Sequence, residues 1–292
     1  MKKLSFFWAM IFVGITIGHA QPSQLNTQFH HNPYLLNPAL AAVDQGWSFF
    51  LGYSQQLNKV SDAGHTQALT ASYRKRKTGL AIASSQNRQG LISRTRLLGT
   101  YAYHVPLGGN QRALHFGLSL GMQHEQINEA DIRGETGDPV VSRFNERQNY
   151  VDGSAGIAYT DANWTIQVAM PELSDKLNGN RTNMPGTTTF MVAAGYRFFA
   201  GKAIDGLTVE PNLFYRTFSG MPAIVDAGIS LSLKNKFTLD GLYHSSNRFT
   251  GGVSAAITSQ LTGIMLYSNG ITRMNFFGER LELGLKYALG SL

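Results

Sequence analysis

Leu114, Phe116, Leu118, Leu120 and Met122 alternate with His115, Gly117, Ser119, Gly121 and Gln123. Successive side chains of a strand point to opposite faces, so this run carries a bulky apolar row on one face and a small or polar row on the other. The pattern recurs. Leu207, Val209, Pro211, Leu213 and Tyr215 alternate with Thr208, Glu210, Asn212, Phe214 and Arg216. Val225, Ala227, Ile229, Leu231 and Leu233 oppose Asp226, Gly228, Ser230 and Ser232, and Leu281, Leu283, Leu285 and Tyr287 oppose Glu282, Gly284 and Lys286. A chain written this way must form strands with two unlike faces. It is either a barrel with lipid outside and a polar lumen, or a sandwich with its apolar faces turned inward.

Three features favour the barrel. The alternating segments run to the end of the chain. Many reach the roughly 9–11 residues that a tilted membrane strand needs. Aromatic residues gather near segment ends, at Tyr101 and Tyr103, Tyr196 and Phe198, and Phe276 and Phe277, where an interfacial girdle belongs. The pattern predicts strands near 46–55, 66–74, 79–86, 94–105, 112–126, 149–160, 163–171, 187–198, 207–217, 222–233, 236–244, 248–257, 261–268 and 279–289. The expected fold is all-β: a transmembrane outer-membrane β-barrel of about 14 antiparallel strands over residues 46–292. Connections after odd-numbered strands are longer on the whole than those after even-numbered ones. That predicts extracellular loops on the first set and periplasmic turns, with the N-terminus, on the second.

The start of the chain agrees with export. Met1-Lys2-Lys3 precedes an apolar run from Leu4 to Ile17, and Gly18-His19-Ala20 supplies small residues for cleavage before Gln21. Residues 1–20 therefore read as a secretory signal peptide. The apolar run is shorter than the roughly 20 residues of a spanning helix. There is no cysteine, so stability rests on no disulfide. Without Lys2 and Lys3, 23 of the 25 basic residues remain against 18 acidic ones, which is a mild charge. Aromatic residues do not interleave with the basic ones in a loop or helix, so no nucleic-acid surface is expected.

Between leader and first strand lies Gln28-Phe29-His30-His31-Asn32-Pro33-Tyr34-Leu35-Leu36-Asn37-Pro38-Ala39-Leu40-Ala41-Ala42. It is apolar, yet its two Asn-Pro steps exclude both a regular helix and a central strand. Residues 21–45 are expected to form an irregular plug segment that packs into a larger body. The segment resembles the opening of the PorP/SprF family of type IX secretion outer-membrane proteins, in which Gln-Phe precedes Leu-Leu-Asn-Pro-Ala-x-Ala-Gly. Gln28, Phe29, Asn32, Leu35, Leu36, Asn37, Pro38, Ala39 and Ala42 match, whereas Val43 stands where the family often has Gly. Tyr101–Gly108, Leu114–Gly121 and Lys77–Ala81 resemble further stretches of that family. More weakly, the Asn-Pro-Ala step resembles the hatch of FadL-type barrels, which plugs a fourteen-stranded lumen.

The family resemblance implies a non-enzymatic outer-membrane component that helps secrete, receive or anchor cell-surface cargo in Bacteroidetes, often gliding adhesins. The implied partners are a secreted cargo protein with a type-B C-terminal sorting domain, periplasmic secretion components and outer-membrane lipid. A porin or hydrophobic-solute channel is the alternative, and the sequence shows no clear ladder of lumen arginines against acids to favour it. The longest loop, Ile127 to Gln148, carries Asp131, Arg133, Glu135, Asp138, Arg143 and Arg147 and is the expected cargo-contacting element. The spacing of Asp131, Glu135 and Asp138 does not match an EF-hand. Arg74-Lys75-Arg76-Lys77 reads as a solvated turn or a contact for an acidic partner.

Little catalytic chemistry is expected. No Gly-x-Ser-x-Gly, His-Glu-x-x-His or phosphate-cradling glycine loop occurs, and no cofactor or metal is implied. His30 and His31 are adjacent, and His115 and His124 fall on or near one strand, without a ligand set to complete them. Asp226, His244 and Ser245 suggest a hydrolase only if forced into one.

Overall fold

The computed structural model describes residues 27–57, 64–109, 111–127, 149–178, 187–200, 206–270 and 279–289. The leader and residues 21–26 lie outside this set. Antiparallel strands follow one another around a single sheet: β1 (Gly46–Gln56), β2 (His65–Lys75), β3 (Thr78–Gln89), β4 (Ile92–Pro106), β5 (Ala113–Ile127), β6 (Asn149–Thr160), β7 (Trp164–Met170), β8 (Thr188–Tyr196), β9 (Phe198–Phe199), β10 (Leu207–Phe218), β11 (Met221–Leu233), β12 (Phe237–His244), β13 (Arg248–Ala256), β14 (Leu261–Gly270) and β15 (Arg280–Leu289). The short β9 prolongs β8 past an interruption at Arg197, and both pair with β10, so the wall has fourteen strands.

The sheet closes on itself. β1 pairs with β15 from Trp47↔Leu289 to Gln56↔Arg280, and with β2 on its other side. A closed sheet leaves no unpaired edge, which is the condition for spanning hydrocarbon with strands. No helix among the described residues is long and apolar enough to cross a membrane.

The alternation sorts as expected for a barrel. Leu118 and Leu120 of β5 stand 62% and 64% exposed, whereas His115, Ser119 and Gln123 of the same strand are buried. Leu213 and Tyr215 face out, while Phe214 and Arg216 face in. Trp47, Tyr103, Trp164, Phe198 and Phe199 form an exposed aromatic band near one end of the wall. Tyr101 and Tyr196 lie close to it, and Phe276 and Phe277 fall outside the described residues.

The band marks the end where connections are short. Tight turns there place Arg76, Lys234 and Asn235 at positive φ, at 58°, 51° and 53°. Arg74 Nε and Gln45 Nε2 both donate to the Arg76 carbonyl, at 2.9 and 3.0 Å, which holds the basic turn in shape. Gly46 and Leu289 also lie at this end, and in outer-membrane barrels the short turns face the periplasm. The opposite end carries the longer connections. The positive-φ positions at the entry to β1 are Ala42, with φ 54°, and Gly46, with φ 88°, and Val43 is not among them. Val43 therefore needs none of the freedom a glycine would give it.

Candidate functional site

The lumen is occupied by the chain's own residues 27–43. Three single 3-10 turns follow one another: Gln28–His30, Pro33–Leu35 and Pro38–Leu40. Each Asn-Pro step dictates this. Proline fixes φ and suits the first position of a helical turn, while the residue before it is pushed to extended backbone. Asn32 and Asn37 accordingly sit at φ −133°, with Pro33 and Pro38 opening the next turns. The Asn37 side chain caps its turn by accepting from Ala39 N at 3.0 Å.

The segment is docked residue by residue. Gln28 Nε2 donates to the carbonyls of Tyr53 and Leu283, at 3.2 and 2.9 Å. Phe29 meets Phe214 edge-on with 4.6 Å between centroids, and the Arg216 guanidinium lies 5.0 Å from the Phe29 ring. Asn32 Nδ2 donates to Thr70 at 3.0 Å, and Tyr34 shares a 2.7 Å hydrogen bond with Thr100. Leu35 packs against Phe50, Ile264 and Leu266; Leu36 packs against Phe29, Ala193 and Phe214. Asn37 Nδ2 reaches Gln167 Oε1 and the Ile157 carbonyl, at 3.3 and 3.4 Å. Ala39, Leu40 and Ala158 form one cluster, and Tyr34, Ala41, Ala81 and Ala102 another. Arg74 Nη1 donates to the Val43 carbonyl.

Glycines in the wall make these contacts possible. A Cβ on Gly117 would lie 2.1 Å from the Pro38 carbonyl carbon and 2.2 Å from Ala39 N. One on Gly156 would lie 2.0 Å from Asn37 Oδ1, and one on Gly52 2.1 Å from Gln28 Oε1. Backbone and amide groups thus come closer to the wall than any other residue type allows. The nine family-matching residues Gln28, Phe29, Asn32, Leu35, Leu36, Asn37, Pro38, Ala39 and Ala42 all lie in this segment.

Burial shapes its chemistry. His30 stacks on Phe29 at 4.7 Å and meets Phe214 at 4.8 Å. Burial, helped by neighbouring His31, pushes its pKa down to about 3, so docked His30 is neutral. His31 Nε2 lies 3.0 Å from Asp240 Oδ2.

The lumen does contain a ladder of arginines against acids, contrary to the sequence expectation. Arg94 pairs with Glu125 at 2.9 Å and approaches Glu172 at 3.9 Å. Arg96 pairs with Asp152, and its Nη2 donates to the Pro171 carbonyl at 2.6 Å. Arg216 pairs with Asp226 at 2.6 Å. The partners stand 31, 56 and 10 residues apart in the chain and meet only through the register of different strands. The ladder occupies the long-loop half of the lumen.

Asp226 also contacts His244 Nδ1 at 2.6 Å, and His244 Nε2 contacts Thr250 Oγ1 at 2.9 Å. The order Asp–His–hydroxyl is that of a hydrolase triad. Here the hydroxyl is a secondary one, 0% exposed and bonded to Ser268 at 2.7 Å. The contacts link Asp226, His244, Thr250 and Ser268 across four neighbouring strands, β11 to β14. Ser245 instead accepts from Val225 N at 2.9 Å. His115 shares hydrogen bonds with His104 and Thr160, at 2.7 and 2.8 Å, and His124 with Asn149 at 3.1 Å. Among the described residues no group of three metal-ligating side chains forms.

Among the described residues two cavities lie beside the segment on the short-turn side. One of about 350 Å³ is lined by polar groups including His30, His31, Asn212, Ser230 and Asp240. The other, about 210 Å³, lies between Tyr34, Leu40, Phe50, Thr70 and Lys286. Asp131, Arg133, Glu135, Asp138, Arg143 and Arg147 lie outside the described residues.

A closed fourteen-stranded wall, apolar outside and ionic inside, with a docked N-terminal segment, defines an outer-membrane β-barrel. A family model described as type IX secretion system membrane protein PorP/SprF matches residues 18–287. The chain belongs to that family, and its place is the outer membrane. No curated protein sequence matches it significantly. Among solved structures, the CymD monoaromatic hydrocarbon channel superposes with TM-score 0.53 at 11% identity, covering 94% of each chain. The P. putida toluene transporter TodX gives 0.50 at 9% identity, covering 89% of this chain and 95% of its own. At such identities the likeness is one of fold.

Proposed function

We propose that this barrel is a non-enzymatic component of type IX secretion that receives or anchors a secreted cell-surface protein. Family membership supports the secretion role. The observation that carries the rest is the docked segment: residues 27–43 cross-brace the lumen through buried hydrogen bonds on opposite walls. A barrel closed in this way offers surfaces, not a passage. The cargo is an adhesin-like protein with a type-B C-terminal sorting domain, in a cell that glides. Residues 128–148, with Asp131, Arg133, Glu135, Asp138, Arg143 and Arg147, supply its contact. Periplasmic secretion components meet the short-turn side.

The test is to replace 128–148 by a two-residue Asn-Gly turn and follow both heat-modifiable barrel and surface cargo. The expected result is normal insertion with cargo lost from the surface. Normal cargo display by a folded deletion would refute the loop assignment.

The second reading is a hydrophobic-solute channel. It is favoured by the likeness of fold to a monoaromatic hydrocarbon channel and a toluene transporter, and by the cavities beside the segment. It requires the segment to move. Solute uptake into liposomes by the unaltered protein would favour this reading; silence there, with conductance only after deleting 27–43, would favour the first.

A further inference from the structure

Arg94, Arg96 and Arg216 each face a carboxylate within hydrogen-bond reach. Arg248 and Arg280 do not. Arg248 is only 3% exposed, yet its Nε and Nη2 have no hydrogen-bond acceptor. Arg280 Nε is also buried without one. Buried guanidinium groups left unpaired are costly, and each calls for a missing counter-charge.

The fold shows where that counter-charge would sit. Arg248 opens β13 at the long-loop end, opposite Gly270 of β14, which puts no side chain beside it. Arg280 lies on β15 opposite Ser268, two positions further into the lumen. His244 faces Arg248 from β12, and Thr250 and Ser268 lie level with Arg280; the polar atoms of these three are engaged with one another. Among the described residues the one nearby carboxylate, Glu282, is committed through Oε1 to Thr27 at 2.8 Å, while its Oε2 makes no bond. Arg216 and Asp226 neutralise each other, and one acid stands against two arginines. Among the described residues the local surplus is a single positive charge.

We propose that Arg248 and Arg280 form an anion site that takes one carboxylate entering from the long-loop end. A planar guanidinium fork matches two carboxylate oxygens, whereas a halide meets only one donor direction well. Glu282 Oε2 accepts from an N–H or O–H next to that carboxylate. The carboxylate comes from a small molecule or from a polypeptide, and the site stands independently of the cargo reading.

The test uses the full chain, folded in zwitterionic detergent at pH 7.5, with chloride exchanged for acetate at constant ionic strength. A saturable rise in Tm is expected over acetate concentrations up to about 0.2 M. R248Q and R280Q should abolish it. R248K, which keeps the charge and loses the fork, should weaken it at least tenfold, and it carries the test if R248Q fails to fold. In chloride alone R248Q should be no less stable than the parent, unlike R216Q, which strands Asp226. Short peptides with a free or amidated C-terminus separate the sources. Free-acid peptide outbinding acetate identifies a polypeptide end, and equal affinity identifies a small carboxylate. Equal Tm in acetate and chloride, or equal binding of the amidated peptide, would overturn the proposal.

Discussion

Gly117→Ala tests whether the luminal segment closes the barrel. The added methyl would sit 2.1 Å from the Pro38 carbonyl carbon and 2.2 Å from Ala39 N, where ordinary contact begins at 3.4 Å. Both opposing atoms are backbone, pinned by the Asn37 cap on one side and the cluster of Leu40 with Ala158 on the other. Overpacking of a well-filled site costs about 1–3 kcal/mol, and a rigid backbone puts this case near the top. About 3 kcal/mol multiplies the undocked fraction by roughly a hundred. In planar bilayers the parent should be nearly silent, and Gly117→Ala should show brief openings about a hundred times as often. Gly99→Ala is the control: its methyl would find only the Leu120 carbonyl, at 3.9 Å. Identical traces and identical thermal stability for Gly117→Ala and the parent would refute the reasoning, because the segment would then not be wedged where it is.

Asn37→Ala removes the cap and the hydrogen bond to the Gln167 amide oxygen; it should cost about 1–3 kcal/mol of docking, read as faster protease cleavage within 27–43. Docking should also depend on pH through His30. The docked imidazole titrates near 3 and the released one near 6.5, so the released form binds the extra proton in between. Docking is therefore fully present above about pH 7 and weakens as pH falls, approaching tenfold per unit below about 5.5. Conductance recorded at pH 7.5 and 5 should rise at the lower value, and His30→Phe should flatten that response. Leu120→Arg puts a charge on the lipid face of β5 near mid-strand and should destabilise the inserted barrel by about 2–4 kcal/mol, seen as a lower midpoint in urea.

The wall was readable because alternation is local. Leu118 and Ser119 show their faces to anyone counting by twos, and only ends shifted, as where the wall breaks at Arg197 between β8 and β9. The irregular run was readable for the same reason: Pro33 and Pro38 forbid regular structure wherever they occur. Its docking was not. Gly117 and Gly156 look like any strand glycines until register sets them against Pro38 and Asn37. The ion ladder escaped for a related reason. Arg96 and Asp152 sit on strands β4 and β6 with β5 between, and no spacing rule links them. The signal that would have found it is the inward parity of every charged strand residue, counted before asking about neighbours.

Gln28 bears on how such a barrel is built. Its single side-chain amide donates at once to Tyr53 of β1 and Leu283 of β15, the two strands whose meeting shuts the cylinder. Those strands lie at opposite ends of the polypeptide, so their joint is the one made across the greatest chain distance. Residue 28 precedes both and is tied to β1 by a short link, which lets it wait on the early strand as a clasp for the late one. Losing this amide should therefore be felt most during assembly, as chains that insert but remain unzipped along one seam.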